Sequence, residues 1–329
     1  MKRRAMLLGG VAVGTGSLGW AAEPAWPLRP ITMLVASAAG GALDATARVL
    51  QPRLAALLGE AIIIDNRSGG GGVVAVEAAA RATADGHTIL LAHLGGLVIN
   101  GLIRGEGAID PLLAFEPISL AVEVPSILVV PASKPWRSLQ DMIKDARAKP
   151  GSLSWGHSGV GSTNHLSGAL LDRKAEIETV GVPYRGGGPL ALDLIAGRLD
   201  YSFTTSASIL PHVEAGRLRV LATPSLKRSA FLPDVPTVAE QGMPGFEATA
   251  WFGVLAPAAT PPAIIARLGA ELDAIGKEAE FRSRIAGFGA EPPGLTPDGG
   301  SSPESFGVFL RAEIARWTDV VRRADIRVE

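Results

Sequence analysis

Between Ile31 and His93 short aliphatic runs alternate with longer amphipathic ones, and only a few residues separate each from the next. Ile31 to Ser37 (ITMLVAS) reads as a buried strand. Asp44 to Leu58 reads as a helix, with apolar Ala45, Ala47, Val49, Leu50, Leu54 and Leu57 set among Arg48 and Arg53. Ala61 to Asp65 is a second strand, closed by Asn66-Arg67-Ser68 and four glycines, Gly69 to Gly72. Val73 to Arg81 is a helix, Asp85-Gly86 a turn, and His87 to His93 a third strand. Strands joined through helices in this way pair in parallel by the right-handed crossover rule, which gives half of a doubly wound α/β domain.

The middle of the chain repeats the theme. Ser126 to Val130 and Leu153 to His157 read as strands around a helix that Pro135 and Ser138 introduce and Pro150-Gly151 ends. After the loop Ser158 to Ser162, Thr163 or Asn164 is placed to cap a helix carrying His165 and Leu166 to Leu171. Val180 to Pro183 is extended, Pro189 opens a helix through Ala196, and Tyr201 to Thr204 and Leu218 to Thr223 are two more strands. Phe231 to Pro244 is turn-rich. Ala250 to Leu255 is a strand, and helices follow from Pro261-Pro262 to Lys277 and from Pro303 to Val321. The pattern predicts two α/β lobes, with the chain returning to the first for its C-terminal helices.

Composition narrows the chemistry. There is no Cys among the 329 residues, which excludes disulfides, thiolate metal sites and cysteine nucleophiles. The net charge of −1 offers no basic footprint for nucleic acid. Lys2, Arg3 and Arg4 precede an uncharged stretch, Ala5 to Gly19, and Gly19 and Ala21 are small enough for a cleavage site. Residues 1–21 therefore have the layout of a secretory signal peptide, too short and too rich in glycine to span a bilayer. Three of the 31 basic residues lie in that leader, so 28 remain against 32 acids and the mature chain carries −4. Export to the periplasm is expected, where having no Cys avoids oxidative mispairing.

Three glycine-rich turns stand between a strand and a helix start: Gly40-Gly41, Gly159 to Ser162, and Gly186 to Gly188. A helix start exposes unpaired N–H groups and the positive end of the dipole, a cradle for an anion. Ligands of open parallel sheets bind at the carboxyl ends of the strands. Any one such loop is equally a tight turn, whereas several converging on one cleft point to binding. Nucleotide motifs fail, since no Lys follows these glycines as a phosphate-binding loop requires.

Gly156-His157-Ser158-Gly159-Val160 departs from a nucleophile elbow at Val160, so a hydrolase using Ser158 is the weaker alternative. His87, His93, His157, His165 and His212 form no H-x-x-x-H or H-x-H pair, and neither a metal nor a cofactor is expected. His93 ends a strand and can face a cleft or be satisfied within its own turn. Asp44 suits the start of the first helix, and Arg311, Arg316, Arg322 and Arg323 read as a solvated helix face.

Ordered motifs then cover the chain from about residue 27 to its end. They run Ala39-Gly40-Gly41-x-x-Asp44-x-x-Ala47-Arg48, Asp65-Asn66-Arg67-x-Gly69-x-Gly71-Gly72 and Ala84-Asp85-Gly86-x-Thr88. Next come Gly159-Val160-Gly161-Ser162-x-x-His165-Leu166-x-Gly168, Val182-Pro183-Tyr184-Arg185-Gly186 and Leu210-Pro211-His212-x-x-Ala215-Gly216-x-Leu218-Arg219. Leu232-Pro233-Asp234-Val235-Pro236-Thr237 and Trp251-Phe252-Gly253-x-x-Ala256-Pro257 complete the series. Together they resemble the Bug family, the TctC-type extracytoplasmic solute receptors of tripartite tricarboxylate transport systems.

The resemblance implies a two-lobed type II periplasmic binding protein, or Venus flytrap, with parallel-sheet cores and hinge crossover strands. Lobe 1 is expected over residues 27–124 and 246–329, and lobe 2 over 125–245. It implies a monomer that captures a small carboxylate between the lobes, through loop amides, hydroxyls and ordered waters, and delivers it to membrane permease subunits. A sensor feeding a signalling partner would use the same closed form. Candidate ligand-binding residues are Ser37, Ala39, Gly40, Gly41, Asp44 and His93 in the first lobe. In the second they are Gly161, Ser162, Thr163, His165, Tyr184, Gly186 and Thr204.

Several positions depart from the family pattern. Ala36 and Ala38 replace two prolines of the first loop, and Ala169 stands where Glu is frequent. His93 and Leu94 replace small polar residues, and Thr204 stands where many members have Asp. That last change favours a ligand without an amine, because no acid is left at position 204 for an ammonium group.

Overall fold

The aliphatic runs fold as strands and the amphipathic ones as helices. A computed structural model describes residues 26–105, 107–157, 159, 161–184, 187–229 and 232–324. The first part holds β1 (Ile31–Val35), α1 (Ala42–Leu58), β2 (Ile62–Asn66), a 3-10 turn (Gly70–Gly72), α2 (Val73–Ala80) and β3 (Thr88–His93). A π-helical turn (Gly95–Ile99) runs into α3 (Asn100–Arg104), and α4 (Pro111–Ala114) leads to β4 (Phe115–Val124). The second part holds β5 (Ser126–Pro131), α5 (Leu139–Ala148), β6 (Ser154–His157), α6 (Thr163–Ala175), β7 (Val180–Pro183) and α7 (Gly187–Ile195). It continues with β8 (Ser202–Thr205), α8 (Ser206–Glu214) and β9 (Leu218–Ala222). β10 (Ala250–Pro257), α9 (Pro262–Lys277), α10 (Ala279–Ala286) and α11 (Pro303–Ala324) finish the chain.

Local chemistry sets the boundaries. α1 stops at Gly59, which takes φ 76° and donates its N–H to the Ala55 carbonyl, a left-handed stop that glycine adopts without a Cβ penalty. α5 starts at a reciprocal capping box between Ser138 and Asp141.

The first sheet has the order β2-β1-β3-β10-β4. In the second, β8-β5-β9 and the parallel pair β6-β7 are joined by a parallel bridge between Trp155 and Tyr201, giving β7-β6-β8-β5-β9. Each core holds a parallel set with one strand running against it: β10 is antiparallel to β3 and β4, and β5 is antiparallel to β8 and β9. Connectivity explains this. β4 ends at the same edge of its sheet as β1 and β3, then crosses through Pro125 alone into β5. β5 enters its sheet from the edge where β6 and β8 finish, so it must run against them. β9 and β10 repeat the exchange in the other direction. The carboxyl ends of both parallel sets therefore face the crossings.

α9 and α11 cover β4 on the first sheet. There Trp251 is fully buried, edge-on to Phe306 with centroids 5.9 Å apart, and donates Nε1–H to Glu313 Oε2 at 2.8 Å. Arg316 corrects the reading of α11 as carrying a solvated arginine face. It bonds Glu247 at 2.7 Å and Glu313 at 2.6 Å, because α11 lies against the segment that leads into β10. Arg311 and Arg322 are exposed, and the Arg323 side chain lies outside the described set.

Candidate functional site

At the end of β1 the chain leaves the sheet through half-buried Ser37 and an exposed turn, Ala38 to Gly41. Gly41 is the N-cap of α1 and offers no side chain to cap it, so the N–H groups of the first turn stay unpaired within the helix. Asp44 fastens this loop from inside. Its Oδ2 accepts from the Gly40 N–H at 2.8 Å and from Arg48 Nε at 2.9 Å, and the residue is buried. Burial pushes its carboxyl up, but the hydrogen bonds from Arg48, Gly40 and Asn66 together outweigh burial and hold it below the usual aspartate range.

His93, at the end of β3, uses its ring within its own lobe. Nδ1 accepts from the Gly96 N–H at 3.2 Å, and the ring also has a backbone hydrogen bond with Ala36. Burial lowers its pKa to about 4, so the imidazole is neutral near pH 7.

On the second sheet β6 ends at His157 and a loop reaches α6. The cap of α6 is Ser162, not Thr163 or Asn164 as the residue pattern suggests: Ser162 keeps extended dihedrals and its Oγ accepts from the His165 N–H at 3.3 Å. Thr163 is already helical. The same Oγ donates to the Gly159 carbonyl at 2.6 Å, so one hydroxyl fixes both loop and helix start. Below it the His157 and His165 rings lie 4.6 Å apart, and Trp155 sits 5.2 and 6.0 Å from them. Burial, then the neighbouring His157, lowers His165 to about 4. This gives the loop an uncharged floor.

Two further candidates lie on other elements of the second sheet and its helices. The Tyr184 hydroxyl donates to Asp193 Oδ2 on α7 at 2.8 Å, while its N–H is held by the His157 carbonyl. Thr204 is buried and lies opposite Ile127 of β5. Gly186, and Ser158 of the hydrolase alternative, lie outside the described residues.

Near these loops the elements of the two sheets pack closely at glycines. A Cβ built on Gly95 would stand 3.0 Å from the Gly161 carbonyl oxygen and 3.1 Å from the His93 ring. One built on Gly72 would stand 3.1 Å from His93 Nε2 and 3.2 Å from the Ala36 carbonyl. The ends of β1 and β3, the Gly69–Gly72 turn and Gly161 therefore close on one place. Asn100, which sequence reasoning did not single out, joins them: its Nδ2 donates to the Gly71 carbonyl at 3.1 Å. No pattern of residue types marks it. Chemically each helix start leaves first-turn backbone N–H groups unpaired within the helix, a donor set suited to holding an anion.

Residues 46–324 match the family described as tripartite tricarboxylate transporter family receptor, TctC. The chain belongs to the TctC family. Among solved TctC-like structures, Rpa4515 of R. palustris with adipate is 36% identical, with 92% of this chain and 99% of that one covered and a TM-score of 0.82. MatC from Rhodopseudomonas palustris with bound malate is 32% identical, covering 90% and 100%, at a TM-score of 0.80. The periplasmic binding protein BugD is 29% identical, covering 92% and 100%, also at 0.80. This TctC chain thus has the α/β fold of a periplasmic binding protein, and it is a solute-binding protein rather than an enzyme.

Proposed function

We propose that this chain captures a small carboxylate-bearing solute in the periplasm, in the cleft between its lobes, and hands it to the membrane subunits of a tripartite tricarboxylate-type transporter. Residues 1–21 act as a signal peptide, and the exported product is a monomer. Lobe 1 comprises 27–124 and 246–329, and lobe 2 comprises 125–245. The observation that carries this reading is the approach of Gly95, just past the end of β3, to the carbonyl of Gly161, just before the Ser162 cap of α6 on the other sheet. One solute carboxylate sits at the Gly40-Gly41 end of α1, and the far end meets Ser162 and Thr163. Backbone N–H donors hold an anion there without a formal ion pair, and ordered waters bridge the remainder.

Adipate and malate, bound by two relatives, are both carboxylates without an amine. Thr204 in place of an acid agrees with an amine-free solute here as well. A thermal-shift screen of residues 22–329 tests both points. At 100 times its dissociation constant a solute stabilises the native state by about 2.7 kcal/mol, which raises the midpoint by on the order of a few degrees. Adipate, malate and succinate are expected to raise it, and their diamides to leave it unchanged. A larger shift with aspartate or glutamate than with succinate would overturn the amine-free assignment. No shift with any carboxylate, after unfolding and refolding to strip carried-over solute, would overturn the receptor reading.

A further inference from the structure

One side chain at the seam touches both lobes. Asn100 is nearly buried, at 8% exposure, and comes directly after the π-helical turn Gly95–Ile99. Such turns are uncommon and tend to mark functional positions, because the extra residue re-aims the side chains of the next turn. One edge of the Asn100 carboxamide holds the Gly71 carbonyl, at 3.1 Å. Its other edge faces Gly161 of the second lobe. A Cβ built on Gly161 would stand 2.5 Å from Asn100 Oδ1, and one built on Gly71 would stand 2.6 Å from Nδ2. Both glycines take positive φ, 77° and 64°. The amide thus fills a slot that exists only because both walls lack side chains, and one wall belongs to each lobe.

We propose that Asn100 is the latch of cleft closure. It seats the Gly69–Gly72 turn of the first lobe against Gly161 of the second and so holds the closed form without touching solute. This rests on the solute-capture reading above. In an open form Asn100 keeps its bond to Gly71, which is local, and loses only the packing against Gly161. It is therefore a positioning residue, and its removal acts on the equilibrium between open and closed rather than on the solute contacts. Affinity falls with the fraction of closed form available, mainly through faster dissociation.

The absence of Cys allows a direct reading of closure. Leu113 on α4 and Leu192 on α7 are 78% and 67% exposed and belong to opposite sheets. Spin labels on Leu113→Cys and Leu192→Cys report the interlobe distance by pulsed dipolar spectroscopy. Asn100→Ala is expected to shift that distribution to longer distances in the solute-free protein, and to weaken adipate or malate binding roughly tenfold, in proportion to the closed form lost with the packing against Gly161. Gly161→Ala places a methyl where Oδ1 sits, so it too weakens binding. In the Asn100→Ala background the slot is empty, and the same glycine change should cost less than about threefold.

An unchanged distance distribution in Asn100→Ala would overturn the latch, as would losses from the two changes that simply multiply. A structural role alone would lower thermal stability without moving the distances. If the parent protein binds no carboxylate, the solute reading fails, while the latch is still decided by the solute-free distances.

Discussion

Asp44 is a buried carboxylate that stays charged. Burial alone would raise its pKa, and it lies below the free value because Arg48, the Gly40 N–H and Asn66 favour the anion more strongly. A depressed carboxyl pKa adds stability that is complete above the unfolded value, near 3.8, and is lost as the pH falls through the folded one. Asp44→Ala leaves the Gly40 N–H and Arg48 without their partner. We expect it to lower unfolding free energy by about 1–3 kcal/mol at pH 7, with the gap to the parent protein narrowing at pH 3. Urea titrations at the two pH values measure it. A gap of equal size at both would mean that packing, not the ionised carboxylate, accounts for the loss. The residue faces inward toward its own loop, so it shapes the exposed Ala38–Gly41 turn without lying in it.

At the scale of elements, α6 connects the packing of its lobe to the cleft. Its cap is Ser162 and its first turn carries His165, and one turn later Gly168 rests on the Trp155 ring. A Cβ on Gly168 would lie 2.5 to 2.7 Å from three ring atoms. Gly168→Ala must displace either the helix or the indole, at about 1–3 kcal/mol of stability. Because the same helix positions the Ser162 loop, solute affinity should fall with it. Chemical denaturation and calorimetric titration of the variant report the two losses. Unchanged stability would show that α6 is free to slide on Trp155.

α6 also shows how much is legible in residue pattern alone. The aliphatic strands, the glycine loops and the helix itself arise from it, and only the cap moved, from Thr163 or Asn164 to Ser162, since all three side chains can accept the bond. β4 escaped the pattern because Glu116, Pro117 and Glu123 interrupt its apolar run, and α8 escaped because Pro211 lies inside it. The antiparallel course of β5 and β10 depends on where the crossings fall, which no local periodicity encodes. Asn100 is set by a π-turn and two distant glycines, and the Tyr184 hydroxyl by Asp193 on another helix. Such features arise only once the loops are brought together.

For the whole molecule, the crossings between lobes pass through a cluster of acids. Glu123 sits two residues before Pro125, and its backbone bonds to Glu291 in both directions, at 3.0 and 2.8 Å. Glu247 lies just before β10, Glu313 on α11, and Arg316 ties the last two together. Burial first, then repulsion from Glu291, Glu247 and Glu313, raises the Glu123 pKa to about 7 from 4.5. The native state therefore keeps a proton that the unfolded chain has released between those values. Its contribution to stability is present in full at the acid end of that window and declines as the pH rises through it.

His93 and His165 act in the opposite sense. Both are held near 4, so the unfolded chain takes up protons below about 6.5 that the native state refuses. Their contribution falls as the pH drops. Well above pH 6.5 the histidines are neutral in both states, and the comparison with Glu123→Gln cancels what they contribute nearer that value, so Glu123 is left as the changing group among these three. Glu123→Gln keeps the shape and removes the titration. Between pH 6 and 8 the parent protein should lose midpoint temperature relative to Glu123→Gln, by on the order of a few degrees. Since this carboxyl stands at the β4–β5 crossing, its ionisation sets like charges against one another where the chain passes from one sheet to the other. Parallel melting curves for parent and variant that keep a constant separation from pH 6 to 8 would show that Glu123 is ionised throughout and that Arg316 already neutralises the cluster.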